Sequence, residues 1–398
     1  MATHLTNLGS LLSWDSKERC IKTRENIEIL LDDGVIKEIG DSTEKGENII
    51  DCSQKLVTPG FVDSHTHPVF LCGREDEYRQ RVSGMSYQEI AESGGGIQSS
   101  IDGVRNASVE ELRERVSNRM DSFLELGTTT VEAKSGYGLS TESELKSLEV
   151  LDLVSRSHEI DIVPTFMGAH TFPPEYSDRG TYVDLICEEM IPAVSEQGIA
   201  KYCDVFCEKG YFDLDQTTRI LDTGKQNNLL PRVHADEFQD SGAAELAAEL
   251  ECVSADHLMA VSDIGIRSLA EKNVTATILP GTTFFLGSHQ YAPVKKMVER
   301  GVSIALATDF NPGSSHLQSM PFVLVLACLY LNMSIEEALI ASTWQGAVSL
   351  GMERQVGSIE VDKKADLIIW DVEKPIEIVY SCPGAKIKHV FKNGNQIF

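Results

Sequence analysis

Two patterns of apolar and polar positions divide the chain. Near the N-terminus the runs are short: Ile27-Glu28-Ile29-Leu30-Leu31, then Asp32-Asp33-Gly34, then Val35-Ile36-Lys37-Glu38-Ile39. Period-two alternation around an Asp-Gly turn predicts a β-hairpin. The other end has the same character, with a strand over 365–370 and a hairpin about Asn393-Gly394. Neither end is long enough to bury a sheet by itself. The two are therefore expected to meet in a small β-sandwich domain built from residues 1–55 plus 351–398.

From 56 to 350 the pattern changes to strands alternating with helices. Ser108 and Glu111 form a capping box ahead of apolar Val109, Leu112, Val116, Met120 and Phe123, which predicts a helix ending at Gly127. Thr141 and Glu144, followed by Leu145, Leu148 and Leu151, predict a second capped helix in the same way. Strands are expected in the apolar run from Gly60 that stops at His65 and His67, and at 128–133, 160–166, 204–206, 232–234, 252–257, 274–279 and 303–309. Eight strands with helices between them define an α/β fold of the (β/α)₈ barrel type, and a doubly wound open sheet is the alternative. No Gly-x-Gly-x-x-Gly follows the first strand, which favours the barrel.

Composition narrows the partners. The 398 residues are 42% hydrophobic and 24% charged, with a formal net charge of −26. That charge repels nucleic acid and anionic membrane surfaces. No apolar run reaches about 18 residues, the length a membrane-spanning helix needs. Met1-Ala2-Thr3-His4 lacks the features of a signal peptide, so a cytoplasmic protein acting on a small molecule is expected. Nine cysteines without a regular framework suit reduced, buried thiols.

In a barrel, chemistry sits at the carboxyl ends of the strands. His65 and His67 are placed on the first strand, His170 at the end of the third, His234 of the fifth and His257 of the sixth; Asp309 ends the eighth. Any one of these alone reads as a core histidine bonded to backbone. Together they read as a metal centre, because residues i and i+2 of an extended segment share a face and imidazole with carboxylate suits zinc or iron. His289 and His316 are left as surface or loop residues.

The arrangement resembles the amidohydrolase superfamily, whose barrels bind one or two divalent metals and hydrolyse amide, amine or ester bonds. Binuclear members usually add a carbamylated lysine on the fourth strand. Here Lys209 lies beyond that strand and Lys134 belongs to the second. The resemblance therefore implies one divalent ion per chain, zinc or iron, held by His65, His67, His234 and Asp309.

A narrower resemblance lies within it. Val57 to His67, Glu132-Ala133-Lys134-Ser135-Gly136-Tyr137-Gly138, Gly168-Ala169-His170, His234-Ala235-Asp236-Glu237 and Thr308-Asp309-Phe310-Asn311-Pro312-Gly313-Ser314-Ser315 are similar to the imidazolonepropionase family of histidine degradation. That similarity extends over essentially the whole chain, including the split β domain. It implies hydrolysis of the ring amide C–N bond of 4-imidazolone-5-propanoate to N-formimino-L-glutamate, and a homodimer.

It also implies roles. Glu237, three residues after His234, would move a proton from water to the leaving nitrogen, with His257 and Asp309 sharing the catalytic work. Arg74 would hold the propionate, although by itself it reads as one more arginine in the charged run Arg74-Glu75-Asp76-Glu77. Tyr137, His170, Asn311, Gly313 and Ser314 would contact ring or carboxylate. Gly94-Gly95-Gly96 suits either a hinge over the mouth or a plain flexible connection. Two rivals remain on the sequence alone: an amidohydrolase deaminase acting on another nitrogen heterocycle, and a catalytically silent barrel serving as a binding protein.

Overall fold

The computed structural model describes residues 2–85, 89, 96–381 and 386–398; Gly94 and Gly95 of the expected hinge lie outside them. Eight strands, Phe61–Asp63, Thr128–Lys134, Asp161–Ala169, Tyr202–Cys207, Leu230–Ala235, Ser254–His257, Thr275–Ile278 and Ile304–Leu306, lie side by side in chain order. Each runs parallel to the next, as strand–helix–strand crossovers require. Most of their residues are buried, because the strands face the barrel interior on one side and helices on the other.

The ring is drawn together beyond the ends of its first and last strands. Asp309 N–H donates to the His65 carbonyl (3.1 Å) and His67 N–H to the Phe310 carbonyl (2.8 Å). The Asp63 carboxylate accepts from Thr308 N–H (3.1 Å) and Thr308 Oγ1 (2.6 Å). The chain segments that carry three of the four expected metal ligands, His65, His67 and Asp309, are thus stitched to each other.

Local signals explain most helix boundaries. Ser108 caps Val109–Glu125 in a complete capping box, and Gly127 leaves the helix at φ +86°. The helix Thr141–Ser155 is capped by Ser140 rather than Thr141. Ser140 has the extended backbone of an N-cap, so its hydroxyl accepts from Ser143 N–H. Glu144, expected to close a capping box with Thr141, is buried and turns back onto the loop before the helix. Two further helices, Glu75–Val82 and Ile97–Asn106, follow the first strand. The pattern did not announce the former, since it buries none of its residues and carries no apolar stripe.

The chain ends form two sheets on a shared core that includes Leu5, Leu11, Ile29, Val57, Leu367 and Phe391. One sheet is N-terminal throughout, in the order Val35–Gly40, Glu28–Asp32, Thr3–Thr6, Asn48–Asp51. The other interleaves both ends: Leu56–Pro59 lies between Ser10–Asp15 and Leu367–Trp370. Leu56–Pro59 thus hydrogen-bonds to the terminal strands, although the change of pattern at 56 assigned it to the barrel. Gly60 then passes directly to the first barrel strand. A Cβ there would lie 2.4 Å from Thr129 Oγ1, so the crossing from sandwich to barrel leaves no room for a side chain.

Candidate functional site

His65 and His67 lie just beyond the first strand, which stops at Asp63, rather than within it. Thr66 between them donates its N–H to Glu132 Oε2 (3.2 Å) and its hydroxyl to the Glu132 carbonyl (2.6 Å). With Thr66 pinned, both neighbouring imidazoles turn the same way, and their Nε2 atoms are 3.2 Å apart. His234 Nε2 reaches within 3.4 Å of His67 Nε2, and Asp309 Oδ1 is 3.5 Å from Nε2 of both His65 and His67.

The outer nitrogens of His65 and His234 are oriented by carboxylates. His65 Nδ1 is 2.7 Å from Asp256 Oδ2 and His234 Nδ1 is 3.0 Å from Asp204 Oδ1. A carboxylate accepts, so these nitrogens carry the protons and the Nε2 lone pairs face inward. Burial, and then neighbouring cations, hold His65 well below the ordinary histidine pKa; burial and then His170 do the same for His67. Neutral imidazoles with convergent lone pairs repel one another unless a cation sits among them. The donor set of three imidazoles and one carboxylate therefore fits a divalent metal ion.

Beneath this layer lies a charged one, buried and missed by sequence reasoning. Lys134 Nζ is 2.7 Å from Glu132 Oε1 and 2.8 Å from Asp204 Oδ2. Burial works against its ammonium, but Asp204 and Glu132 outweigh it and leave the pKa above the usual lysine value. Arg232 donates to the Ser64 and Ser349 carbonyls (3.0 Å each) and lies 3.5 Å from Asp256. A signal existed: Arg232 and Glu132 stand two residues before His234 and Lys134, and so share a face with them, charged residues in strands buried on both sides.

Glu237 and His257 lie beside the candidate metal ligands. Glu237 is 8% exposed, in the cavity wall rather than in an exposed loop, and its Oε2 is 3.8 Å from His257 Nε2. Burial, then the charge of Asp309, raises its pKa well above the usual glutamate value. Nitrogens of His65 and His257 and an oxygen of Asp309 also approach within 4.8 Å of one another, so His257 borders the same centre. Asp309 sits at φ +53° and accepts from Thr282 Oγ1 (2.5 Å); burial lifts its pKa to about 6.

These groups open into a cavity of about 350 Å³ whose wall includes Arg74, Tyr137, His170, Asn311 and Ser314. The His170 ring stacks on His67 at 5.0 Å, and burial lowers its pKa to about 3. Arg74 is not one more surface arginine: its side chain is buried, with Nε and a terminal nitrogen on Glu77 Oε2 at 2.9 and 2.7 Å. Gly313 stands behind it, where a Cβ would meet the guanidinium at 2.4 Å. Asn311 borders the cavity, but its amide builds the loop. Its oxygen accepts from Gly313 and Ser314 N–H (2.8 and 2.7 Å), and its nitrogen donates to the Asp309 carbonyl (2.7 Å) and Ser314 Oγ (2.9 Å). Arg81, Phe206 and Tyr211 are among the wall residues that sequence reasoning had not singled out. His289 and His316 are exposed and stay outside it.

A model of the amidohydrolase family matches residues 236–397. An imidazolonepropionase of Clostridium tetani is 44% identical over 386 residues, which cover 95% of this chain and 92% of that protein. One of Geobacillus kaustophilus is 46% identical over 367 residues, 92% of this chain and 86% of the relative. Among solved structures, a triazine hydrolase variant matches with a TM-score of 0.78 at 15% identity, over 100% of this chain and 94% of that one. An adenosine deaminase from Xanthomonas campestris with bound zinc matches with a TM-score of 0.69 at 17% identity, over 99% and 92%. At such low identities the solved structures speak for the fold alone. Identity of more than four residues in ten along nearly the full length of curated relatives is a different matter, and on it the chain belongs to the imidazolonepropionase family of amidohydrolases.

Proposed function

We propose that this chain hydrolyses the ring amide C–N bond of 4-imidazolone-5-propanoate, giving N-formimino-L-glutamate, with one divalent ion, zinc or iron, at His65, His67, His234 and Asp309. The observation that carries the reading is the meeting of that ligand set, the buried carboxyl group of Glu237 and a guanidinium around one cavity of substrate size. When bound, such an ion lowers the pKa of a coordinated water and polarises the scissile carbonyl.

The protein's own groups supply the rest. Asp256 and Asp204 hold His65 and His234 in the tautomer that turns Nε2 inward. Glu237 takes the proton of the attacking water and delivers it to the ring nitrogen as the C–N bond breaks, a transfer that its place beside His257 in the same wall permits. His257 holds the attacked oxygen, and Asp309 assists while ligating. Arg74, fixed by Glu77 and backed by Gly313, presents positive charge to the propionate, and Tyr137, His170, Asn311 and Ser314 enclose the ring. The same reading takes residues 1–55 plus 351–398, together with the strand Leu56–Pro59 that pairs with them, as the composite terminal domain beside the barrel, in a cytoplasmic homodimer.

The direct test is a spectrophotometric assay with imidazolone propionate, with and without a chelator. Turnover abolished by the chelator and restored by metal is expected, without ammonia release. No turnover by metal-replete protein refutes the assignment, and ammonia as a direct product would replace it with deamination.

A further inference from the structure

The loop Gly136-Tyr137-Gly138-Leu139, between the second barrel strand and the helix Thr141–Ser155, is held from both sides by buried or half-buried charges. Glu144 accepts three of its backbone N–H groups: Gly136 at Oε2 (3.0 Å), Gly138 at Oε1 (2.8 Å) and Leu139 at Oε1 (2.8 Å). Arg105 donates to the carbonyls of Gly138 (2.7 Å) and Leu139 (3.1 Å). A buried carboxylate satisfied by three amides is a strong, directional anchor.

The conformation so held is not one the chain adopts freely. Gly136 sits at φ +105° and Leu139 at φ +52°. At Gly138 a Cβ would lie 2.6 Å from the Ser143 carbonyl carbon, so the loop is seated directly on the start of the helix. Two consequences reach the cavity. Tyr137 is placed in its wall, and the Gly136 carbonyl meets His170 Nδ1 at 2.9 Å. A carbonyl can only accept, so Nδ1 carries the proton and Nε2 is left as the acceptor of the His170 ring.

We propose that Glu144 is a positioning residue for substrate recognition: by anchoring this loop it sets Tyr137 and, through the Gly136 carbonyl, the His170 tautomer that accepts a hydrogen bond from a ring N–H of the substrate. This rests on the reading that Tyr137 and His170 touch substrate. It makes the enzyme selective for heterocycles with a ring N–H donor at that position.

Glu144→Gln tests it selectively. The glutamine oxygen can keep Gly138 and Leu139, but its NH₂ then opposes the Gly136 N–H, the amide adjoining the carbonyl that orients His170. With imidazolone propionate the variant is expected to show KM raised about tenfold or more and kcat changed far less, with metal content unaltered. Amide exchange should quicken at residues 136–139 and not across the barrel. A folded variant with wild-type KM overturns the proposal, as does a loss that appears only in kcat and follows metal content. Should Glu144→Gln fail to fold, Gly138→Ala lifts the same loop by steric clash; a rise in KM supports the anchoring role and a wild-type KM overturns it. Absence of wild-type turnover would strike the proposed function instead, and amide exchange at residues 136–139, altered or unaltered in Glu144→Gln, would then decide the role of Glu144.

Discussion

His65 Nδ1 and Asp256 Oδ2 lie 2.7 Å apart, both shut away from solvent, although 191 residues separate them in the chain. The contact fixes the tautomer of a candidate metal ligand from the side of the ring opposite His67 and Asp309. Asp256→Asn keeps the size of the side chain and removes its charge. It should weaken metal affinity about 10- to 100-fold, read by competition against a chromophoric chelator. An unchanged affinity would remove Asp256 from this role.

The ligand set itself predicts stoichiometry. Purified protein should contain about one equivalent of zinc or iron per chain, and His65→Ala should lose both metal and turnover. Elemental analysis decides this, and two equivalents per chain would sink the mononuclear assignment.

Lys134 neutralises two carboxylates where no water reaches. Lys134→Met removes the ammonium shared by Glu132 and Asp204 and leaves them the Thr66 N–H and His234 as hydrogen-bond partners, and breaking a buried pair in this way typically costs about 3–5 kcal/mol. Urea denaturation monitored by circular dichroism measures the loss. A cost below about 1 kcal/mol would contradict the account of this layer as a buried ion network.

Arg74→Ala should raise KM for imidazolone propionate by about tenfold or more while leaving kcat nearly unchanged, because the guanidinium is assigned to binding and not to the reacting bond. Steady-state kinetics suffice, and an unaltered KM would exclude Arg74 from the substrate site.

Terminal domain and barrel are tied by Asp161, which receives Lys364 (2.8 Å) and Lys392 (2.7 Å). Burial opposes its ionisation, but Lys392 and Lys364 outweigh that and depress its pKa. The sign follows: a depressed carboxylate stabilises above its unfolded pKa of about 3.9, and that stability is lost as pH falls through the lower folded value. Asp366, on the same Lys392, is shifted upward by burial and so contributes in the opposite direction. Asp161→Asn should therefore lower stability at neutral pH and flatten the difference from wild type below about pH 4. Parallel unfolding curves across that range would show the pair to be inert.

Much of this was legible in one dimension. The barrel followed from local periodicity and turn chemistry, since apolar runs of strand length and capped helices are written within a few residues of each other. The candidate ligands followed because each stands at the end of such a run. Where a choice depended on backbone geometry of a single residue, the reading slipped: Ser140 rather than Thr141 caps its helix, and Leu56–Pro59 pairs with the terminal strands.

What the order of residues determined by itself was the alternation of elements, the split sandwich at the two ends, and histidines and an aspartate gathered at one rim. Only the tertiary structure decided which atoms face which. Asp256 on His65, Asp204 on His234 and Asp204 on Lys134 each join groups from different strands or strand ends whose partnership no spacing announces. The physical reason is that a buried charge takes its partner from whichever strand or helix closure brings within about 3 Å, and that choice is made by the closed barrel, not by proximity along the chain.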